Sequence, residues 1–128
     1  MPHDQDHETL RRSMRAFEEV VDEVLDALPA WVVESIDNLT VVVAEWPTAD
    51  QDPEGEGLLG LYEGVSLLER GNDYFGASPD TITVFRQPHL ARTGSGRELR
   101  AEIRRTVLHE LAHHLGIDDR RLVELGWD

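Results

Sequence analysis

The sequence predicts an α+β domain built on a small β-sheet. Three observations carry this expectation. A segment with helical periodicity opens the chain, short runs rich in β-branched residues occupy its middle, and a long capped helical pattern followed by a short one closes it.

In the first segment, Leu10, Met14, Phe17, Val21, Val24, Leu25 and Leu28 recur at three- and four-residue steps. That spacing makes one face of an amphipathic helix ending near Pro29. The other face carries Glu18, Glu19, Asp22, Glu23 and Asp26; it reads as a solvated surface, with a partner-binding face as the alternative. Residues 30–35 are compatible with one more helical turn.

"LTVVVAEW" (39–46) reads as a buried strand. Residues 47–57, "PTADQDPEGEG", are acidic and broken by Pro and Gly, so they are expected to form an exposed loop. "LLGLYEGVSLL" (58–68) is apolar with two interior glycines and reads as a strand pair or a bulged strand. Residues 70–80 have turn chemistry. "TITVFRQ" (81–87) alternates like a strand, and Pro88 is expected to end it.

The last long pattern starts at a capping box, Ser95 with Glu98 three residues on. Helical periodicity then runs to Gly116, where a C-terminal cap belongs. "DDRRLVELGW" predicts a short final helix with Asp118 or Asp119 near its start.

Composition bounds the function. The 128 residues fit a single domain spanning 1–128, and 40% apolar with 30% charged content describes a globular chain. A formal charge of −14 argues against nucleic-acid and anionic-membrane partners, because both would repel the chain. Cysteine is absent, which excludes disulfides and thiolate metal sites, so any metal must use His, Asp, Glu or water. No signal-peptide core or membrane-length apolar segment is visible, so the expected location is the cytoplasm. Nothing in the sequence fixes the oligomeric state.

The chemistry concentrates in "HELAHHLGIDD" (109–119). A helix turns about 100° per residue, which puts His113 about 40° round from His109 and one turn above it. Two imidazoles so placed can share one ion. Glu110, about 100° away, is poorly placed as a co-ligand but well placed over a water on the open side of that ion, as a general base requires. Val107 and Leu111 lie about 160° from His109, with Ile103 and Leu115 at about 120°, so the apolar stripe faces away from the histidines. Zinc then needs a third protein ligand, with the fourth position left to water. Gly116 permits the turn that brings the chain back, and Asp119 follows three residues later, completing H-E-x-x-H-x-x-G-x-x-D. With this composition the short motif arises by chance in roughly three sequences per hundred and the extended one in roughly two per ten thousand, so the extended form decides for a metal site.

This motif is similar to that of the zincin metallopeptidases, and its extended form resembles the metzincin pattern with Asp replacing the third His. More narrowly, "LLGLYEGVSL", "PDTITVFRQP" and "VLHELAHHLGIDDRRL" resemble, in that order, stretches of a family of small bacterial zincin-like metallopeptidases. The resemblance covers about residues 37–124. It implies a minimal zincin-like fold, with a small mixed sheet, a backing N-terminal helix, an active-site helix and a short C-terminal helix. It also implies Zn2+ held by His109, His113 and Asp119, with Glu110 as base. The chain departs from metzincins in having no methionine downstream of the motif, since its methionines are Met1 and Met14. With only nine residues after Asp119, no C-terminal subdomain is expected to wall the cleft. Short or extended peptides are therefore the expected substrates, not folded proteins.

Other residues have plainer readings. His114 lies off the His109–His113 face and is expected at the cleft edge or in a hydrogen bond behind the metal. Asp118 competes with Asp119 as ligand, and each also suits a helix N-cap. Glu124 reads as solvated, and Glu102 with Arg105 as a surface ion pair at the cleft rim. His3, His7 and His89 read as isolated in loops or termini, with no evident role. Tyr62 or Tyr74 is a candidate oxyanion stabiliser, although ordinary packing is the simpler reading for both. Either "GLLGLY" or "TITVF" is a candidate edge strand for an extended peptide.

The expected activity is zinc-dependent peptide hydrolysis with Glu110 moving the proton. The alternative from another class is a metal-binding interaction module with little or no turnover; a structural domain without metal is the third reading.

Overall fold

A computed structural model of the chain describes residues 3–35, 39–64 and 80–126. Its elements run α1 (His3–Asp26), α2 (Ala30–Ser35), β1 (Leu39–Ala44), β2 (Gly60–Glu63), β3 (Asp80–Phe85), α3 (Arg86–Arg92), α4 (Gly96–Leu115) and α5 (Asp119–Leu125). The expected α+β class holds, and the sheet is mixed. β3 lies at its centre, parallel to β1 and antiparallel to β2. "TITVF" is therefore the central strand and cannot receive a peptide, whereas "GLLGLY" leads into an edge of the sheet formed by the described residues. Among the described residues no helix is long and apolar enough to cross a membrane.

The core sits between sheet and helices. Ile82 and Val84 of β3 pair with Val41 and Val43 of β1 and with Tyr62 and Gly60 of β2. They pack with Phe17, Val21 and Val24 of α1, Val32 of α2, Leu122 of α5, and Ile103, Val107, Leu108, Leu111 and Ala112 of α4. Each fully buried aliphatic side chain contributes roughly 1.5–3 kcal/mol, so α4 is anchored by its apolar back. On α1, burial begins at Phe17, while Leu10 stays 44% exposed. The described residues thus cover only the C-terminal half of the predicted apolar stripe. All five acidic residues of the opposite face are exposed, as expected, and Glu23 pairs with Arg100 of α4.

Residues 86–92 correct the sequence reading. Arg86 and Gln87 were expected to continue a strand that Pro88 would end; they instead open α3. Pro88 falls in the first helical turn, where its missing N–H costs nothing. The turn is tied to the end of β1. Arg86 Nη1 donates to both Glu45 carboxylate oxygens at 2.8 and 3.1 Å, and Gln87 Nε2 donates to one at 2.9 Å. Burial alone would raise the Glu45 carboxyl, but the hydrogen bonds from Gln87 and Arg86 and the Arg86 charge outweigh it, holding the group below its ordinary value.

His89 is the second correction. It is not an isolated loop residue but is fully buried, edge-on to Phe17 of α1. Nδ1 lies 2.7 Å from the Phe85 carbonyl and Nε2 lies 2.9 Å from Thr106 Oγ1. Burial lowers its pKa despite the raising influence of the Phe85 carbonyl and the Glu102 charge, so the fold prefers the neutral ring. In that form Nδ1–H donates to Phe85, while Nε2 faces the Thr106 hydroxyl, whose oxygen also lies 2.9 Å from the Glu102 carbonyl.

A depressed histidine pKa means the unfolded chain binds the proton first on acidification. Stability is therefore expected to fall as pH drops from about 6.5, the ordinary histidine value, toward the folded-state value. Urea midpoints between pH 7.5 and 5 should fall in the wild type. In His89→Gln the decline should be shallower by the His89 share, at a constant cost of about 1–3 kcal/mol for the disturbed hydrogen bonds. Equal slopes in both proteins would remove His89 as the titrating group.

Candidate metal centre

Local signals at both ends hold α4 in place. Ser95 Oγ accepts from Glu98 N at 3.2 Å, as the capping box predicts. The reciprocal bond goes one residue upstream, from Gly94 N to Glu98 Oε2 at 2.8 Å. At the other end Gly116 adopts φ 74°, its N–H reaching the Ala112 and His113 carbonyls while Ile117 N donates to Ala112 O at 2.8 Å. This left-handed cap stops the helix three residues after His113.

On that helix His109, Glu110 and His113 come together. Their potential ligand atoms all lie within 4.8 Å of one another. The two imidazole rings are 5.1 Å apart, centroid to centroid, at 67°. His113 Nδ1 lies 3.6 Å from Glu110 Oε2, so no hydrogen bond locks the pair. The donor set fits a borderline-soft divalent ion, with two imidazoles able to reach one ion and a carboxylate close by. Asp119 stands outside this group, exposed at the first position of α5. Asp118 is the N-cap of that helix, accepting from Arg121 N at 2.9 Å. Glu124 is paired with Arg121 at 2.9 Å, in keeping with its solvated reading.

The histidines open into a cleft of about 500 Å³. Its far wall is residues 56–61, the approach to β2 and its first two residues. Glu102 and Arg105, bonded at 3.1 Å, form part of its rim with Arg92 of α3.

The helix comes close to this wall at one residue. A Cβ on Gly60 would sit 2.5 Å from Thr106 Cγ2, 3.3 Å from the Thr83 carbonyl oxygen and 3.4 Å from Glu110 Cγ. Only glycine permits this approach, which places the Glu110 carboxylate, 6% exposed by residue, beside the strand.

His114 is not at the cleft edge. It is fully buried, and its Nδ1 lies 2.9 Å from Asp80 Oδ2. Tyr62 hydrogen-bonds the same oxygen and stacks edge-on with His114 at 5.8 Å. A carboxylate only accepts, so the imidazole N–H and the phenol both donate to it. Gly64 passes so close that a Cβ there would lie 2.3 Å from Asp80 Oδ1. His114 thus bonds to Asp80, a partner the sequence reading did not name and not a residue of the His109–Glu110–His113 group. Tyr62 spends its hydroxyl on Asp80 and does not line the cleft. Tyr74 lies outside the described residues. Among the described residues His114 Nε2 is buried without a partner.

A mixed three-stranded sheet backed by a helix presents His109, Glu110 and His113 to a cleft, a group that could hold a metal ion on an α+β scaffold. The chain belongs to the zincin-like metallopeptidase family, whose model matches residues 36–127. It is also similar in structure to a conserved hypothetical protein from Thermo thermophilus, with a TM-score of 0.54 and 26% identity over 89% of this chain and 98% of that one. No curated protein matches the chain.

The close approach at Gly60 is testable. Gly60→Ala should force α4 from β2 and cost about 1–3 kcal/mol in urea unfolding. Gly96, where an added Cβ meets nothing within 4 Å, is the control. Gly96→Ala should be neutral or stabilising by up to about 1 kcal/mol. Equal stability of the two variants would refute the steric argument.

Proposed function

We propose that this protein is a zinc-dependent metallopeptidase acting on extended peptides. The observation that carries the reading is His109, Glu110 and His113 within 4.8 Å of one another, facing an edge strand across a cleft. His109 and His113 are two ligands. Asp119 is the third, because Asp118 is committed to the cap and no hydrogen bond or ion pair among the described residues holds the Asp119 carboxylate. When bound, zinc supplies Lewis acidity, polarising a scissile carbonyl and acidifying the attacking water. Glu110 takes the proton from that water and returns it to the leaving amine.

The strand supplies orientation. Phe85 N donates to Leu59 O at 2.9 Å, which continues the antiparallel register of Gly60 with Val84. Backbone pairing alternates in an antiparallel ladder, so Leu59, Leu61 and Glu63 face β3. Gly60 accordingly turns its N–H and C=O groups to the outer edge, where no strand among the described residues pairs with it. A substrate backbone added there would run past the histidines. Leu58, Leu59 and Leu61 give the cleft an apolar lining that suits apolar substrate side chains.

Protein purified without a histidine tag should carry one zinc per chain and cut members of a peptide library, with chelation abolishing both. Glu110→Gln should keep the zinc and lose turnover by roughly 10²- to 10⁴-fold. His113→Ala should lose the metal. Asp119→Ala should weaken zinc binding, whereas Asp118→Ala should leave it intact and cost about 1 kcal/mol of stability. Full turnover in Glu110→Gln would remove Glu110 as the base. Stoichiometric zinc with a silent library would point to a metal-binding module.

A further inference from the structure

We infer that Arg92 is a specificity-determining residue that selects substrates carrying a carboxylate near the cut bond; the inference rests on the peptidase reading above and names its substrate class. Arg92 is the last residue of α3 and lines the cleft together with Arg105. The two cations are not equivalent. Arg105 Nη1 donates to Glu102 Oε2 at 3.1 Å, so its charge is already met. Among the described residues Arg92 has no carboxylate partner, and its one hydrogen bond is long, from Nη2 to the Gly57 carbonyl at 3.4 Å.

That contact ties the end of α3 to a carbonyl that is itself fixed. Asp52 Oδ1 accepts from Glu56 N at 3.1 Å, and Oδ2 accepts from Gly57 N at 3.0 Å and Leu58 N at 3.2 Å. Gly57 sits at φ 81°, a left-handed conformation that glycine adopts without strain. A guanidinium carries five N–H donors in a planar fork. Gly57 takes one of them, and the rest can meet the two oxygens of a carboxylate.

Charge and position agree with this role. A chain of formal charge −14 repels anions at long range, so an acidic group is accepted only where a local cation meets it. Glu56 also lines the cleft and opposes Arg92 in sign, but it forms no ion pair with it. β2 runs beside α4 in the same direction, since Gly60 approaches Thr106 and Tyr62 stacks on His114. Gly57, and Arg92 with it, therefore lies toward the Glu102–Arg105 end of the cleft. Those two residues precede His109 by about 10 and 6 Å along the helix axis, at about 1.5 Å per residue. An extended peptide covers that distance in roughly two or three residues. The selected group is thus a carboxylate that far from the cut bond, on an acidic side chain or at the peptide's C-terminus.

The test uses the whole chain free of metal, because bound zinc would itself attract a carboxylate. Three acetylated probes are titrated by NMR: Ala-Leu-Leu-Ala as the free acid, the same peptide as its C-terminal amide, and Ala-Leu-Leu-Asp amide. At least one acidic probe should bind about fivefold more tightly than the neutral amide, the upper end for an exposed ion pair. A tighter free acid assigns the carboxylate to the chain end, and a tighter Asp probe assigns it to a side chain. Arg92→Gln should abolish the preference, and Arg92→Lys, which keeps the charge without the fork, should retain about twofold. Arg97→Gln removes an equal charge from α4 outside the cleft and should leave the preference intact. Equal affinities in the wild type, a preference that survives Arg92→Gln, an equal loss in Arg97→Gln, or no binding of any probe overturns the inference. Turnover of a peptide library by the zinc-loaded protein is read separately. Cutting with equal probe affinities removes this inference alone, whereas a silent library with the preference intact removes the peptidase reading and keeps the carboxylate site.

Discussion

The arrangement depends on how closely α4 lies against β2 at Gly60. A helix normally stands off a sheet by the length of the side chains between them. Here one of those side chains is missing, and Thr106 and the stem of Glu110 occupy its place. That contact brings the helix bearing the histidines within reach of an edge strand. Without it, α4 would keep its apolar anchor in the core while the width of the cleft changed. The geometry of the His109–Glu110–His113 group is therefore partly a property of a strand glycine.

The approach has a cost, because the side of α4 facing β2 is polar. Thr106, Glu110 and His114 are spaced by four residues and form one stripe, and all three are buried. Unpartnered polar burial costs several kcal/mol, so each member needs compensation. Thr106 lies within hydrogen-bond reach of His89 and of the Glu102 carbonyl. His114 has Asp80, which also holds Tyr62. These two clusters bracket Glu110 on the helix and fix it from either end, through α3 on one side and through β2 and β3 on the other. α4 thus carries an apolar stripe toward the core, a polar buried stripe toward the strand, and a histidine stripe toward the cleft.

This division explains what could be read in the sequence. Spacing and caps were legible because they are local: His109 with His113, the capping box at Ser95, the left-handed turn at Gly116 and the apolar positions Ile103, Val107 and Leu111. The α+β class followed from the order of periodic segments. The buried polar stripe was not legible, since periodicity assigns polar residues to solvent, and the partners His89 and Asp80 are far away in sequence. α3 was missed because Pro88 serves equally as a strand terminator and as a first-turn residue. The loop at 47–57 was expected, but its internal order was not legible, because it comes from the Asp52 side chain bonding to backbone amides, which leaves no repeating pattern. Motif offset favoured Asp119 as ligand while both aspartates suited an N-cap, and the structure gives the cap to Asp118.

Glu110 differs from its neighbours on the buried stripe in one respect. Thr106 and His114 are tied by short hydrogen bonds, whereas Glu110 approaches His113 only to 3.6 Å, and among the described residues no hydrogen bond holds its carboxylate. A group that must accept a proton and release it again loses by being held firmly in either state, because every fixed donor would have to be broken or remade during the cycle. A buried carboxylate without a fixed donor among the described residues, on a backbone anchored one turn away on either side, suits the role proposed for Glu110. Its surroundings supply the rigidity, and the side chain itself stays free to turn toward the space between the two imidazoles.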